Sequence, residues 1–549
     1  MKKFIELNLV FLMTCVILPG QIITAQNRRL ERPKLVVGIV VDQMRWDFLY
    51  RYFDTYGDGG FKRLLNEGFS CENTMINYIP SVTAIGHTTI FTGTVPSIHG
   101  IAGNDWFDPK TGKLTYCTDD STVVAVGTTN KGNKMSPHNL LTTTITDELL
   151  LATNFKSKVI GISLKDRASI LPAGHHPTGA FWLDDASGKF VTSNYYMPTL
   201  PKWVNDFNDS KPIDKLVEKG WNTLLPIENY TESTTDNVEW EGALKGATSP
   251  VFPYDTRKAY SLDHSSFRQM PFGNTLTLEF AKAAVDGYLL GQEQTTDFLT
   301  VNCASTDYSG HLVGPNAIEM EDVYLRLDID LANFFTYLDQ KIGKGNYLVF
   351  LTADHGAAHS EGFMKVNKMP TGLLNKDMKK NLENTLDKQF GSNKLVTGIE
   401  NFQVTFNKFR IDSLKLNMEM IKTSTVKFLQ QQEGIQFAVD QDNISEASVP
   451  STLKEMMING YNKQRSGEVL LIPLPGWLPS GYAKGTTHSV WNPYDSHIPL
   501  LFMGWKIEHG STNRTIYMTD IAATLAALLH IQMPGGCIGT PVKEVMNAK

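Results

Sequence analysis

An open α/β fold, a mostly parallel sheet sandwiched by helices, is the class this sequence predicts, and three observations carry it. Apolar, β-branched runs recur at 34–41, 158–164, 298–301 and 347–351. Each run leads into polar residues able to do chemistry, in order Asp42, Lys165, Asp307 and Asp354. Between the runs lie stretches of helical period, clearest at Tyr324, Leu327, Leu331, Phe334, Phe335 and Leu338. Continuous rather than alternating apolar runs fit strands buried on both faces, as in a parallel sheet covered by helices. Ligands of such sheets sit beyond the carboxyl ends of the strands, which is where the polar residues fall.

The chain begins with Lys2 and Lys3, an apolar stretch from Leu7 to about Leu18, and then Ile23, Thr24 and Ala25. That pattern predicts an export signal over 1–25, cut after Ala25, and so a periplasmic or secreted protein. No later stretch reaches the ~18 uninterrupted apolar residues of a membrane span, so no stable membrane association is expected after cleavage. Cys15 falls in the signal, and Cys71, Cys117, Cys303 and Cys537 are widely scattered. Their spacing excludes a local thiolate zinc motif, and export makes one or two disulfides permissible without fixing their pairing.

The first strand delivers Asp42. Pro80 to Thr89 reads as a loop running into a helix at Ala84, which places Thr83 at its cap. The second strand delivers Lys165 and Arg167. Two stretches break the alternation: 175–270, rich in Trp, Pro, Asn and Thr, and 365–480, with lysine-rich helical patterns and a short strand candidate at 403–406. Both read as insertions, so 26–549 is expected to be a single catalytic domain carrying two insertions over the active-site edge. The helix through Tyr324 and Leu338 follows Gly314 and Pro315 and ends near Gly343.

Composition sets outer limits. The 549 residues are 42% hydrophobic and 20% charged, enough apolar material for a large core. A net charge of −6 gives no basic footprint, which excludes nucleic acid as the natural partner. A small phosphorylated molecule is compatible with it, because cations in a pocket act locally.

Hard ligands cluster after the strands: Asp42, Asp307 with His311, Asp354 with His355, and His488. Carboxylate and imidazole without thiolate suit zinc better than manganese or iron, and six such groups can surround two metals. Thr83 adds a hydroxyl at a helix start, where free N–H groups and the helix dipole favour a phosphoryl group. His87, His99, His175, His176, His359 and His497 sit in turns or at helix starts and are expected to make structural hydrogen bonds.

The segments VVDQMRWD, TAIGHTTIFTG with SIHGIAGND, LKDRAS, TDYSGH, TADHGAAHS and GTTHSVWNPYDSHIPLLFMG together resemble the alkaline phosphatase superfamily, and more narrowly PafA-type alkaline phosphatases. The resemblance covers essentially the mature chain. It implies a phosphate monoesterase that binds two Zn2+ per chain and turns over through a phosphothreonine on Thr83. By motif, Asp307, His311 and His488 would hold one zinc, and Asp42, Asp354 and His355 with the Thr83 oxygen the other. Asn104, Lys165 and Arg167 match the groups that hold the phosphoryl oxygens. Small phosphate monoesters are then the expected partners, with the oligomeric state left open. No ligand set for a third, magnesium site stands out.

The segment from Pro80 to His87 lacks the C/S-x-P-x-R pattern of sulfatases of the same fold. A nucleotide pyrophosphatase/phosphodiesterase of the superfamily is the alternative, since such enzymes also use threonine and asparagine. Lys165 and Arg167 discriminate, because two cations suit the extra charge of a monoester.

Overall fold

The computed structural model describes residues 30–546; the expected export signal at 1–25 lies outside the described residues. Fourteen strands and nine helices position the site. The strands are β1 Leu35–Val41, β2 Phe69–Cys71, β3 Ala125–Val126, β4 Val159–Ser163, β5 Gly179–Asp184, β6 Lys189–Ser193, β7 Asp297–Cys303, β8 Tyr347–Thr352, β9 Val396–Glu400, β10 Gln403–Phe406, β11 Ile435–Asp440, β12 Val469–Pro473, β13 Leu500–Gly504 and β14 Gly510–Thr512. The helices are α1 Thr83–Thr92, α2 Asp166–Ala173, α3 Phe272–Tyr288, α4 Ser305–Val313, α5 Ile318–Lys341, α6 Met378–Phe390, α7 Met418–Gln430, α8 Ser451–Gly460 and α9 Asp520–Leu529.

Ten strands make one sheet in the order β14-β2-β13-β8-β1-β7-β4-β5-β6-β3. Its centre, β8-β1-β7-β4-β5, is parallel, while β13, β6 and β3 run antiparallel to their inner neighbours. Every residue of β1, β4, β7 and β8 is buried, which is why their sequences read as continuous apolar runs. The predicted mixed α/β architecture is the observed one. The long helix α5 presents Tyr324, Leu327, Leu331, Phe334, Phe335 and Leu338 to the core on one face.

From Pro33 onward the chain is a single unit. The expected insertion at 175–270 overlaps the sheet, because β5 and β6 extend its edge before short helices and loops take over. Trp182 and Phe190 are fully buried there, so aromatic content that looked irregular belongs to a covered sheet edge. The segment 365–480 instead builds its own four-stranded sheet, β9-β10-β12-β11. α6 and α7 contribute to a separate apolar cluster around Leu382, Leu386, Ile421 and Leu429. α8 joins this layer to the main body, with Leu453 and Met457 in a cluster that includes Ile79. The four cysteines among the described residues are free thiols, three of them buried.

Candidate metal centre and nucleophile

Asp42 directly follows β1, Lys165 lies two residues past β4, Asp307 sits in the first turn of α4 after β7, and Asp354 lies two residues past β8. Parallel strands in register therefore bring four charged groups to one sheet edge. α1 comes in from the side. Gly86 makes that approach possible, since a Cβ there would collide with the backbone and side chain of Asp354.

Thr83 is the first residue of α1, and Val82 holds the cap position without a side-chain cap bond. The sequence reading placed the cap one residue later. The difference matters chemically, because the Thr83 hydroxyl is not consumed in capping and lies 3.4 Å from the Lys165 ammonium. Asn104 does the capping instead, its Oδ1 accepting from Ala84 N at 2.9 Å. That bond leaves the amide NH2 of Asn104 as a donor.

Lys165 is fully buried and bridges two carboxylates, with Nζ 2.8 Å from Asp42 Oδ2 and 2.6 Å from Asp307 Oδ2. Burial alone would discourage its charge, but Asp307 and Asp42 overcome that and hold it protonated. Arg167, the second residue of α2, donates to the Tyr116 hydroxyl at 3.0 Å, and its buried Nε has no partner. Asp166 is occupied elsewhere, accepting from Tyr116 and Thr118.

Three imidazoles are oriented alike. His311 Nδ1 bonds Thr486 O, His355 Nδ1 bonds Gly356 O and His488 Nδ1 bonds Ser81 O, at 2.8, 3.0 and 2.7 Å. Donation to a carbonyl through Nδ1 leaves each Nε2 as a lone-pair ligand facing the carboxylates. His311 Nε2 is 3.1 Å and His488 Nε2 3.8 Å from Asp307 Oδ1, and His355 Nε2 is 3.7 Å from Asp42 Oδ1 and 3.4 Å from Asp354 Oδ2. The rings of His355 and His488 stack with centroids 3.5 Å apart.

Among the described residues, the groups close enough to share an ion are Asp307, His311 and His488; Asp42, Asp307 and His355; and Asp42, His87 and Asp354. The first is the set the sequence assigned to one metal. The others contain the second set and add His87, which the sequence reading had kept for structural bonding. His87 does make such a bond, Nδ1 to Thr83 O at 2.9 Å, yet the same nitrogen lies 3.3 Å from Asp354 Oδ2. Its spacing of four from Thr83 on one helix was the available signal. Gln43 was also missed: its side chain donates to Asp307 Oδ1 at 2.7 Å and its amide to Asp354 Oδ1 at 3.1 Å.

The electrostatics suit cations. Burial, then the charges of Asp354 and Asp307, pushes the Asp42 carboxyl up despite Lys165. Burial works against the Asp307 and Asp354 carboxylates too, but His311 and Lys165 hold the first well down and His355 and His87 the second. Burial lowers His355 and His488, which favours the neutral form that binds metal. Asp42 Oδ1, Asp354 Oδ2 and His355 Nε2 are buried with no hydrogen-bond partner, an arrangement that a cation would satisfy. The other histidines expected to make structural bonds lie outside these groups: His99 with Thr89, His175 with Asp147, His359 with Asn316, His497 with Glu72 O, and His176 against Phe155.

Residues 36–497 match the family described as type I phosphodiesterase / nucleotide pyrophosphatase. The chain belongs to this family. Within it, the chain is 56% identical to alkaline phosphatase PafA of Elizabethkingia meningoseptica, over 98% of this chain and 99% of that one. It is 53% identical to alkaline phosphatase PhoV of Synechococcus elongatus, over 94% of this chain and 93% of that one. The crystal structure of wild-type PafA superposes with a TM-score of 0.93 at 57% identity, covering 94% of this chain and 100% of that one. Type I phosphodiesterase family membership makes the centre metal-dependent, consistent with the oxygen and nitrogen donors gathered here.

Proposed function

We propose that this protein is an exported, zinc-dependent alkaline phosphatase that hydrolyses phosphate monoesters through a phosphothreonine on Thr83. The observation that carries the reading is the placement of the Thr83 hydroxyl, 3.4 Å from a buried ammonium that itself joins Asp42 to Asp307. Export rests on the signal pattern at 1–25, and among the described residues no helix is long and apolar enough to cross a membrane.

The chain's own groups define the reaction's geometry. Thr83 Oγ1 gives up its proton to solvent and attacks phosphorus, the new P–O bond forms as the ester P–O bond breaks, and the departing oxygen takes up a proton from water to leave as the alcohol. Water then cleaves the phosphothreonine, returning the hydroxyl and releasing phosphate. Asn104, through its free NH2, and the cations Lys165 and Arg167 face the charge on the non-bridging oxygens. Asp42, Asp307, His311, Asp354, His355 and His488 would hold two zinc ions, with His87 beside Asp354. Bound there, the metals supply positive charge at the attacking and departing oxygens.

The phosphodiesterase alternative shares the nucleophile and the metal ligands, and the charges discriminate. A buried ammonium and a half-buried guanidinium beside one phosphoryl site suit a dianionic monoester. Comparing kcat/KM for p-nitrophenyl phosphate and its methyl ester in zinc-loaded protein tests the reading: preference for the monoester is expected, and preference for the diester would reject it.

A further inference from the structure

A cleft of about 450 Å3 opens directly beside the candidate site, with Asn104, His311 and His488 in its wall. The opposite side comes mainly from the segment 365–480, where Leu374, Met378, Ile399, Phe402 and Leu471 form an apolar strip interleaved with polar residues that include Lys376, Lys379 and Glu400. Nothing in the attack of Thr83 on phosphorus requires that wall.

One of its residues is held in an unfavourable conformation. β9 and β10 pair with Glu400 opposite Gln403, so Asn401 and Phe402 form a two-residue turn. Both have positive φ, 50° and 60°. Such turns favour asparagine first and glycine second, and a bulky side chain at the second position is strained. Two hydrogen bonds keep the turn in place: Asn401 Nδ2 donates to Asp105 O at 2.9 Å, and Leu471 N donates to Phe402 O at 2.9 Å. The first ties the hairpin tip to the residue next to Asn104. A strained aromatic residue fixed beside a phosphoryl-binding group is an observation from which function can be argued.

We propose that this cleft is a leaving-group subsite, in which Phe402 and its apolar neighbours bind the ring-sized apolar body of a phosphate monoester. The proposal rests on the phosphatase reading above. The location fits: His311 and His488, ligands of the metal that would face the departing oxygen, line this cleft, so the group that oxygen carries would extend into it. Phe402 also packs against the apolar clusters of the 365–480 segment, so the experiment has to separate binding from packing.

Methyl and benzyl phosphate release alcohols of nearly equal acidity, so the ratio of their kcat/KM values reads contacts with the leaving group rather than bond reactivity. Zinc-loaded wild-type protein is expected to favour benzyl phosphate by about tenfold, the worth of partly burying one ring. Phe402→Gly, the residue the turn itself favours, should bring the ratio near one while methyl phosphate turnover stays unchanged. Ile399→Ala, away from the turn, should lower the ratio in the same direction. A wild-type ratio near one, or an equal fall for both esters in Phe402→Gly, would overturn the subsite. Absence of turnover of both esters by wild type would overturn the phosphatase reading beneath it.

Discussion

The Lys165 ammonium lies 2.6 Å from Asp307 Oδ2 and, on its other side, 2.8 Å from Asp42 Oδ2, so one buried cation joins the two carboxylates that link the candidate metal groups. A divalent cation would share those carboxylates with the ammonium, through Asp42 Oδ1 and Asp307 Oδ1. Lys165→Ala is therefore expected to lower the melting temperature of chelator-treated protein, since removing one partner of a buried ion pair costs about 3–5 kcal/mol. Added zinc should restore most of the loss, giving the variant a larger zinc-induced rise in Tm than the wild type. Equal rises in the two proteins would show that lysine and metal do not share the carboxylates.

Exhaustive chelation is expected to abolish phosphatase activity and zinc to restore it, with about two zinc ions per chain by metal analysis. The buried, unpartnered Asp42 Oδ1, Asp354 Oδ2 and His355 Nε2 account for the requirement. Full activity in metal-free protein would remove the basis of the mechanism.

Thr83→Ala should fold, bind zinc and lose activity on the order of a thousandfold or more, as enzymes do on losing a nucleophile. Radiolabelled phosphate trapped by acid quenching should map to Thr83. Ser81, nearby and buried, donates to Val490 O at 3.0 Å, so it is not a free nucleophile. Label on Ser81 would contradict this assignment.

The parts of this site that the sequence exposed are those attached to the parallel strands. Asp42, Lys165 and Asp354 each follow a fully buried run, and burial on both faces writes an unbroken apolar string. β5 and β6 were less legible, because they lie at an antiparallel sheet edge within a stretch rich in Trp, Pro and Asn. His87 was hidden for a different reason. α1 is buried on every side, so its sequence has no polar face against which a ligand-bearing position stands out. Gln43 acts through both its backbone amide and its side chain, and only the register of β1 between β7 and β8 reveals that reach.

A pH effect on stability follows from carboxyls outside the site. Burial and the charge of Glu319 push Glu241 up to about 9, and burial pushes Glu319 up to about 7. In the unfolded chain both ionise near the usual ~4.3, so between roughly pH 4.5 and 9 the folded protein holds more protons and stability falls as pH rises. Glu241→Gln should therefore show a smaller drop in melting temperature than wild type between about pH 6 and about pH 9. Identical slopes would mean that Glu241 is ionised in the folded protein.

Substrate choice should depend on Lys165 and Arg167. Arg167 does not pair with its neighbour Asp166, whose oxygens accept from Tyr116 and Thr118, and its buried Nε is left without a partner. A donor in that state is available to a phosphoryl oxygen. A monoester dianion presents more non-bridging charge than a diester, and each charge-assisted hydrogen bond is worth roughly 1.5–3 kcal/mol. Lys165→Ala/Arg167→Ala is thus expected to lower kcat/KM for an aryl phosphate on the order of a hundredfold or more, and for its methyl ester much less. Because Lys165 also contacts Asp42 and Asp307, both substrates can lose a common factor through the metals; the ratio cancels it. An unchanged ratio between monoester and diester would therefore reject charge selection even if both activities fell.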